Sequence, residues 1–223
     1  MARELAEHVW ELELSPASAY LVEDRELLLF DAGTPRAADE IVEEITETGN
    51  DIVDVDRVLV THYDLDHVGG LAKLTPDLDA PVHMRDPDAS HLTGAEKPSL
   101  LGVKGFVQRV TRPMLSVPDL EVQRIVDGEE VVSFTAYHMP GHTQGHMAYV
   151  SEERDVAVLG DLVRESRGRL RPSPWYLSRD TDAVRESIRT LASRAPEFAV
   201  AAPGHGSPVT EEGSDDLVRL ARD

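Results

Sequence analysis

A mixed α/β (α+β) fold with stacked sheets is what the sequence predicts, and three observations carry that expectation. Short apolar or β-branched runs bounded by turn residues recur along the 223 residues. Two stretches, 37–48 and 182–195, carry apolar residues at helical spacing. In four places an apolar run ends in a turn with small residues and a metal-capable side chain: His62, His142, Asp161 and His205. Strand ends facing one edge of a sheet sandwich would bring these distant positions together at a rigid site.

Taken in order, positions 9–14, 19–23 and 26–30 read as three strands of a meander, separated by Ser15-Pro16 and the charged Asp24-Arg25 turn. Asp31-Ala32-Gly33-Thr34-Pro35 then leads into a helix over 37–48, with Thr34 as a cap and Pro35 suited to a first helical position. Ile41, Val42 and Ile45 share one face of that helix, and Gly49-Asn50 stops it. Asp31 is read either as a support behind the site or as a loop aspartate. A buried strand follows at 57–61, the start of a short helix at 68–74, a strand at 81–84 and a helical turn at 86–92. Positions 121–126 and 131–137 are expected to form a hairpin across Asp127-Gly128. Strands at 147–151 and 156–159, a helix over 182–195, a strand at 197–202 and a polar helix at 214–222 complete a single domain over 1–223.

The stretch 94–118 has no clear period and contains Pro98, Gly102, Gly105, Pro113 and Pro118. Leu100, Leu101, Val103, Phe106 and Val107 make it too apolar for a disordered tail, so it is read as a lid over the substrate or a dimer contact.

Composition narrows the function. Hydrophobic residues at 41% and charged residues at 29% are those of a soluble globular protein. No run approaches the roughly 18 apolar residues that span a bilayer, and the N-terminal segment MARELAEHVWELEL lacks a signal-peptide pattern, so a cytoplasmic location is expected. With no cysteine, any metal must be held by nitrogen and oxygen. A net charge of -20, from 42 acidic and 22 basic residues, repels phosphate backbones and disfavours a nucleic-acid partner. Lys73, Lys97 and Lys104 are the only lysines, and such an acidic, lysine-poor composition resembles that of halophilic proteins.

The densest chemistry lies in THYDLDHVGG, positions 61–70, where His62, Asp64, Asp66 and His67 follow a core strand. Residues two apart on extended backbone point the same way, so His62 and Asp64 can share one ion, while Asp66 and His67 at the bend can serve another. Gly69 and Gly70 let the backbone approach closely without a Cβ clash. The later segments are PGHTQGH with His142, LGDL with Asp161 and PGHG with His205.

In order, spacing and flanking glycines, these segments resemble the metallo-β-lactamase superfamily, from DAGTP to PGHG. The resemblance implies a four-layer αββα sandwich with two divalent metals at one edge of the paired sheets. It implies that His62, Asp64, His142 and Asp161 hold one metal, and Asp66, His67, Asp161 and His205 the other, with Asp161 bridging. The family's second histidine is Asp64 here, a harder ligand that shifts preference toward iron or manganese; zinc is still named first because the other ligands are nitrogen-rich. Two ions roughly 3.5–4 Å apart would activate a bridging hydroxide and polarise a carbonyl, with Asp66 placed to accept or pass a proton.

The expected activity is therefore hydrolysis of an ester, thioester or lactone bond in a small metabolite, near the glyoxalase-II-like branch of the superfamily. Rival readings are a sulfur dioxygenase with one iron at His62, His142 and Asp161, and a non-catalytic metal-binding scaffold. Arg164, Arg167, Arg169 and Arg171 precede Trp175 and Tyr176. The arginines either meet an anionic substrate group or pair with neighbouring acids, and Arg171, Trp175 and Tyr176 are the candidates for substrate contact. His146 is read as a support for the site or a structural histidine, His83 and His138 as structural, and His8 and His91 as surface residues.

Overall fold

The computed structural model describes residues 1–100 and 102–223. The first half begins with β1 (Arg3–Ala6), β2 (Val9–Leu12), β3 (Ala19–Glu23) and β4 (Leu27–Phe30), an antiparallel meander. Helix α1 (Ala38–Glu47) crosses over to β5 (Arg57–Leu59), which lies parallel to β4. Two single-turn helices, α2 (Leu65–Val68) and α3 (Leu71–Leu74), precede β6 (Val82–Met84). Helices α4 (Asp88–Leu92) and α5 (Gly102–Thr111) precede β7 (Val122–Arg124). These strands form a seven-stranded sheet in sequence order, antiparallel as far as β4 and parallel beyond it.

The second sheet contains β8 (Glu130–Val131), β9 (Phe134–His138), β10 (Met147–Ser151) and β11 (Val156–Gly160). After the small hairpin of β12 (Val163–Glu165) and β13 (Leu170–Pro172) and helix α6 (Thr181–Arg194), strand β14 (Val200–Pro203) adds parallel to β11. The order is β14-β11-β10-β9-β8, and α7 (Gly213–Arg222) closes the chain.

Side-chain alternation explains the stacking. On β3 and β4, Tyr20, Val22, Leu28 and Phe30 face the second sheet, meeting Phe134, Met147, Tyr149 and Val158. Their neighbours Leu21, Leu27 and Leu29 face the other way, onto Ile41 and Ile45 of α1. On the second sheet, Ala148, Val150, Ala157 and Leu159 turn outward onto Val184, Ile188 and Leu191 of α6 and Leu217 of α7. Strands buried on both faces read as continuous apolar runs, as LLLF and VAVLG do. The result is the four-layer αββα arrangement.

Several expectations change. The hairpin across Asp127-Gly128 does not form: β7 belongs to the first sheet, and the turn carries the chain across to the second. The tight hairpin is instead β8–β9, closed at Val132-Ser133 with Val132 at φ 58°. Alternation marks a strand but not which sheet it joins, and this was the information missing. Strand β1 and the β12–β13 hairpin were not anticipated. In the 94–118 stretch, α5 buries Lys104, Gly105 and Gln108 while Val103, Phe106, Val107 and Val110 are exposed; Leu101 lies outside the described residues. A helix whose buried face is polar defeats a reading that looks for an apolar inner face.

Two tyrosines between the sheets tie down loops that matter below. The Tyr149 hydroxyl donates to Val60 O at 2.9 Å, and the Tyr20 hydroxyl donates to Pro203 O at 2.6 Å. Gly70 is required for a close approach, since a Cβ there would lie 2.1 Å from Ala32 O. The glycine pair thus packs against the 32–35 turn rather than against the ligand cluster. Replacing Tyr149 by Phe leaves a buried carbonyl unpaired and is expected to destabilise the fold by about 1–3 kcal/mol; Gly70→Ala should cost ~1–3 kcal/mol or more through overpacking. Urea unfolding measures both.

Candidate metal centre

Five chain segments at one edge of the two sheets converge, following β4, β5, β9, β11 and β14. Asp31 leaves β4 in the left-handed region, at φ 60°, which aspartate tolerates. Its carboxylate accepts the Thr61 backbone N–H at 2.8 Å and the Thr61 hydroxyl at 2.7 Å, and it lies 2.8 Å from Nδ1 of His67. Of the two readings of Asp31, the structure supports the one that places it behind the site.

All four histidines of the motif are tied at Nδ1 and turn Nε2 inward. Nδ1 of His67 faces Asp31, and Nδ1 of His205 faces Pro16 O at 2.9 Å. Both partners are acceptors, so these nitrogens carry the proton. The Thr61 hydroxyl gives its proton to Asp31 and lies 2.9 Å from Nδ1 of His62, whose N–H it therefore accepts. Nδ1 of His142 lies 2.8 Å from Ser173 Oγ. For His62, His67 and His205 this pattern makes Nε2 the nitrogen that can face a cation, and Nε2 of His142 is turned the same way.

The inward atoms form two groups, each with ligand atoms within 4.8 Å of one another: His62, Asp64, His142 and Asp161, and Asp66, His67 and His205. Asp161 connects them, its Oδ2 lying 3.4 Å from Nε2 of His142 and 3.3 Å from Nε2 of His205, and its Oδ1 lying 3.4 Å from Nε2 of His67. Nε2 of His62, Nε2 of His67 and Oδ1 of Asp161 are buried without a hydrogen-bond partner. Buried lone pairs left unsatisfied beside carboxylates are what a divalent ion with nitrogen and oxygen ligands satisfies. The residues present fit such ions.

The electrostatics agree. Burial and the neighbouring His67 hold the His62 imidazole well below its ordinary value. Burial also pulls His67 down, but Asp31 and Asp161 outweigh it and hold His67 well above. For Asp161, burial raises the carboxyl and the His142 and His67 rings more than reverse it, leaving it well below the usual range. Protons held by such carboxylate–imidazole contacts leave when a metal takes their place.

Two residues to which the sequence reading gave no part in the site enter from α5. The Lys104 ammonium contacts Asp64 Oδ2 and lies 2.6 Å from Nε2 of His142. Gln108, one turn further on, donates to Asp64 Oδ1 at 3.0 Å and to Tyr63 O at 2.6 Å. Burial raises the Asp64 carboxyl, but Lys104 and the adjacent imidazoles bring it well below its ordinary value. The available signal was a lysine and a glutamine four positions apart in a lysine-poor chain.

A cavity of about 320 Å³ opens over the centre. Asp64, Asp66, Lys104, His142, Asp161 and His205 contribute its polar lining, and Leu65, Val107, Tyr176 and Leu177 are among its apolar walls. Tyr176 therefore lies in the cavity wall. Trp175 does not line the cavity; it is 72% exposed and meets Tyr176 edge-on at 5.7 Å. The expectation for Arg171 is corrected. The β12–β13 hairpin pairs it with Arg164 and packs against α6 and α7, so Arg171 lines a separate cavity with Arg185, Arg189 and Asp223.

Among the other histidines, His146 is fully buried and stacks on His62 with ring centroids 5.1 Å apart. His83 is buried in β6, and His138 faces Gln144 O at 2.9 Å. His8 is exposed beside Glu23, and His91 is half-buried edge-on to Tyr63.

The chain is similar to known proteins in the same terms. A family model described as "Metallo-beta-lactamase superfamily" matches residues 12–205. The probable metallo-hydrolase YflN of Bacillus subtilis is 27% identical over 98% of this chain and 91% of that protein. The hydroxyacylglutathione hydrolase of Shewanella loihica is 28% identical over 68% of this chain and 48% of its own length. The crystal structure of TTHA1623 in a di-iron-bound form superimposes with a TM-score of 0.69 at 27% identity, covering 93% of this chain and 96% of that one. With its fold, its ordered ligand segments and the matched span in agreement, the chain belongs to the metallo-β-lactamase superfamily of metal-dependent hydrolases.

Proposed function

We propose that the protein hydrolyses an ester, thioester or lactone bond in a small metabolite, using two divalent ions, zinc first and iron or manganese as alternatives. The observation that carries this reading is the pair of ligand clusters joined by Asp161 at the floor of a cavity large enough for a small molecule. The names of two relatives, a probable metallo-hydrolase and a hydroxyacylglutathione hydrolase, support the reaction class, and a di-iron-bound neighbour supports a two-metal centre.

When bound, the ions supply an acidified water and a Lewis acid for the carbonyl. The chain's own residues do the rest. His62, Asp64, His142 and Asp161 would hold one cation; Asp66, His67, Asp161 and His205 would hold the other. Asp31, Thr61, Ser173 and Pro16 O fix the four imidazoles from behind, so the ligand geometry is set before substrate arrives. Asp66 lines the cavity, with Oδ2 3.5 Å from Nε2 of His205, and is placed to pass a proton to the departing alcohol or thiol. Leu65, Val107, Tyr176 and Leu177 offer apolar contact to an acyl chain and exclude water from it. The acidic, lysine-poor surface belongs to the same proposal as adaptation to high salt.

Dialysis against a chelator is expected to abolish turnover of a panel of esters, thioesters and lactones, and zinc to restore it. Asp31→Ala should weaken metal affinity by about 10–100-fold, read by equilibrium dialysis. Tyr176→Ala should raise KM with kcat little changed, whereas Arg171→Ala should leave KM unchanged for acidic and neutral substrates alike. Elemental analysis separates the rivals: one iron per chain with oxygen-dependent turnover would replace this reading by the dioxygenase, and metal-loaded protein inactive on the whole panel would favour the scaffold.

A further inference from the structure

One buried cation has no part in the reaction proposed above. Lys73 and Lys97 are exposed, whereas the Lys104 side chain is only 7% exposed, on the cavity floor. A buried ammonium persists only when paired and hydrogen-bonded. Both of its partners, Asp64 Oδ2 and Nε2 of His142, are ligand atoms of the first cluster. The Lys104 ammonium has only protons to offer, so it takes the lone pair of Nε2 of His142, and Nδ1 is left to donate to Ser173 Oγ. A metal ion would need that same lone pair, and like charges cannot share the position. Gln108 holds the other oxygen of Asp64, so one face of α5 engages this carboxylate at both atoms. Among the described residues, no lysine or arginine forms an ion pair with Asp66, His67 or His205.

We propose that Lys104 is a built-in competitor for the first metal: the Asp66–His67–His205 cluster with Asp161 loads first, and the His62–Asp64–His142 cluster accepts its ion only as the Lys104 ammonium leaves. This rests on the metal-centre reading of the preceding section. Metal loading of the first cluster is thereby coupled to the position of α5, whose Val107 also lines the cavity.

Calorimetric titration of chelator-treated, full-length protein with Zn2+ tests the proposal. The wild type should bind one tight equivalent and a second more weakly, and Lys104→Met should tighten the second by at least about tenfold. Lys104→Ala serves as a second variant, with circular dichroism as the check on folding. The wild type has an independent readout in its three lysines. Mass-spectrometric rates of acylation by an N-hydroxysuccinimide ester should show Lys104 protected with one equivalent of zinc. At saturating zinc it should become several-fold more reactive, with Lys73 and Lys97 as references. Two equivalents of equal affinity in the wild type, a second affinity unchanged in a folded Lys104 variant, or a Lys104 labelling rate indifferent to zinc would each overturn the inference and leave the hydrolase standing. A wild type that binds no zinc, iron or manganese would overturn both.

Discussion

Imidazole lone pairs turned inward on buried carboxylates are the constraint around which this molecule is arranged. Each of the four motif histidines is tethered at Nδ1, by Thr61, Asp31, Ser173 or Pro16 O, so none can turn away from the centre without losing a hydrogen bond. The inward Nε2 atoms of His62 and His67 have no partner of their own. Such a cluster is unfavourable in a dry interior unless positive charge satisfies it. In the chain alone, protons on His67 and the Lys104 ammonium supply part of that charge.

The rigidity of the centre comes from the sheets. Tyr149 and Tyr20 lie in the layer between them and hold Val60 O and Pro203 O, two residues before His62 and His205 respectively. The Met147 N–H donates to Thr61 O at 2.8 Å and the Gly204 N–H to Gly160 O at 2.9 Å, linking adjacent ligand loops to each other. A ligand set drawn from positions 62 to 205 therefore rests on backbone that is hydrogen-bonded across both sheets rather than on independent loops. Precision of this kind is what a shared carboxylate such as Asp161 demands, because small displacements would detach it from one cluster or the other.

Asp64 and Lys104 are best understood together. A carboxylate at position 64 adds a negative charge to the first cluster, and α5 answers it with an ammonium on one oxygen and the Gln108 amide on the other. That makes α5 part of the centre, with Lys104 and Val107 both lining the cavity. It also accounts for the inverted burial of α5, whose polar residues are directed into the molecule while Val103, Phe106 and Val110 are exposed.

Much of this was legible from residue order alone. The strands of the meander, helices α1 and α6, and the ligand segments are local features, written in alternation, helical spacing and dense clusters of histidine and aspartate with glycine. The sorting of strands between sheets was not legible, because β7 and β9 have similar local signals and differ only in the surfaces they meet. Nor was the destination of Arg171, which depends on a hairpin folding back toward α6 and α7. Nor was the part played by Lys104 and Gln108, for the same physical reason. Their role comes from the charge of Lys104 and the amide N–H of Gln108 meeting Asp64, 40 and 44 residues away, and a contact over that separation exists only once the chain has closed upon itself.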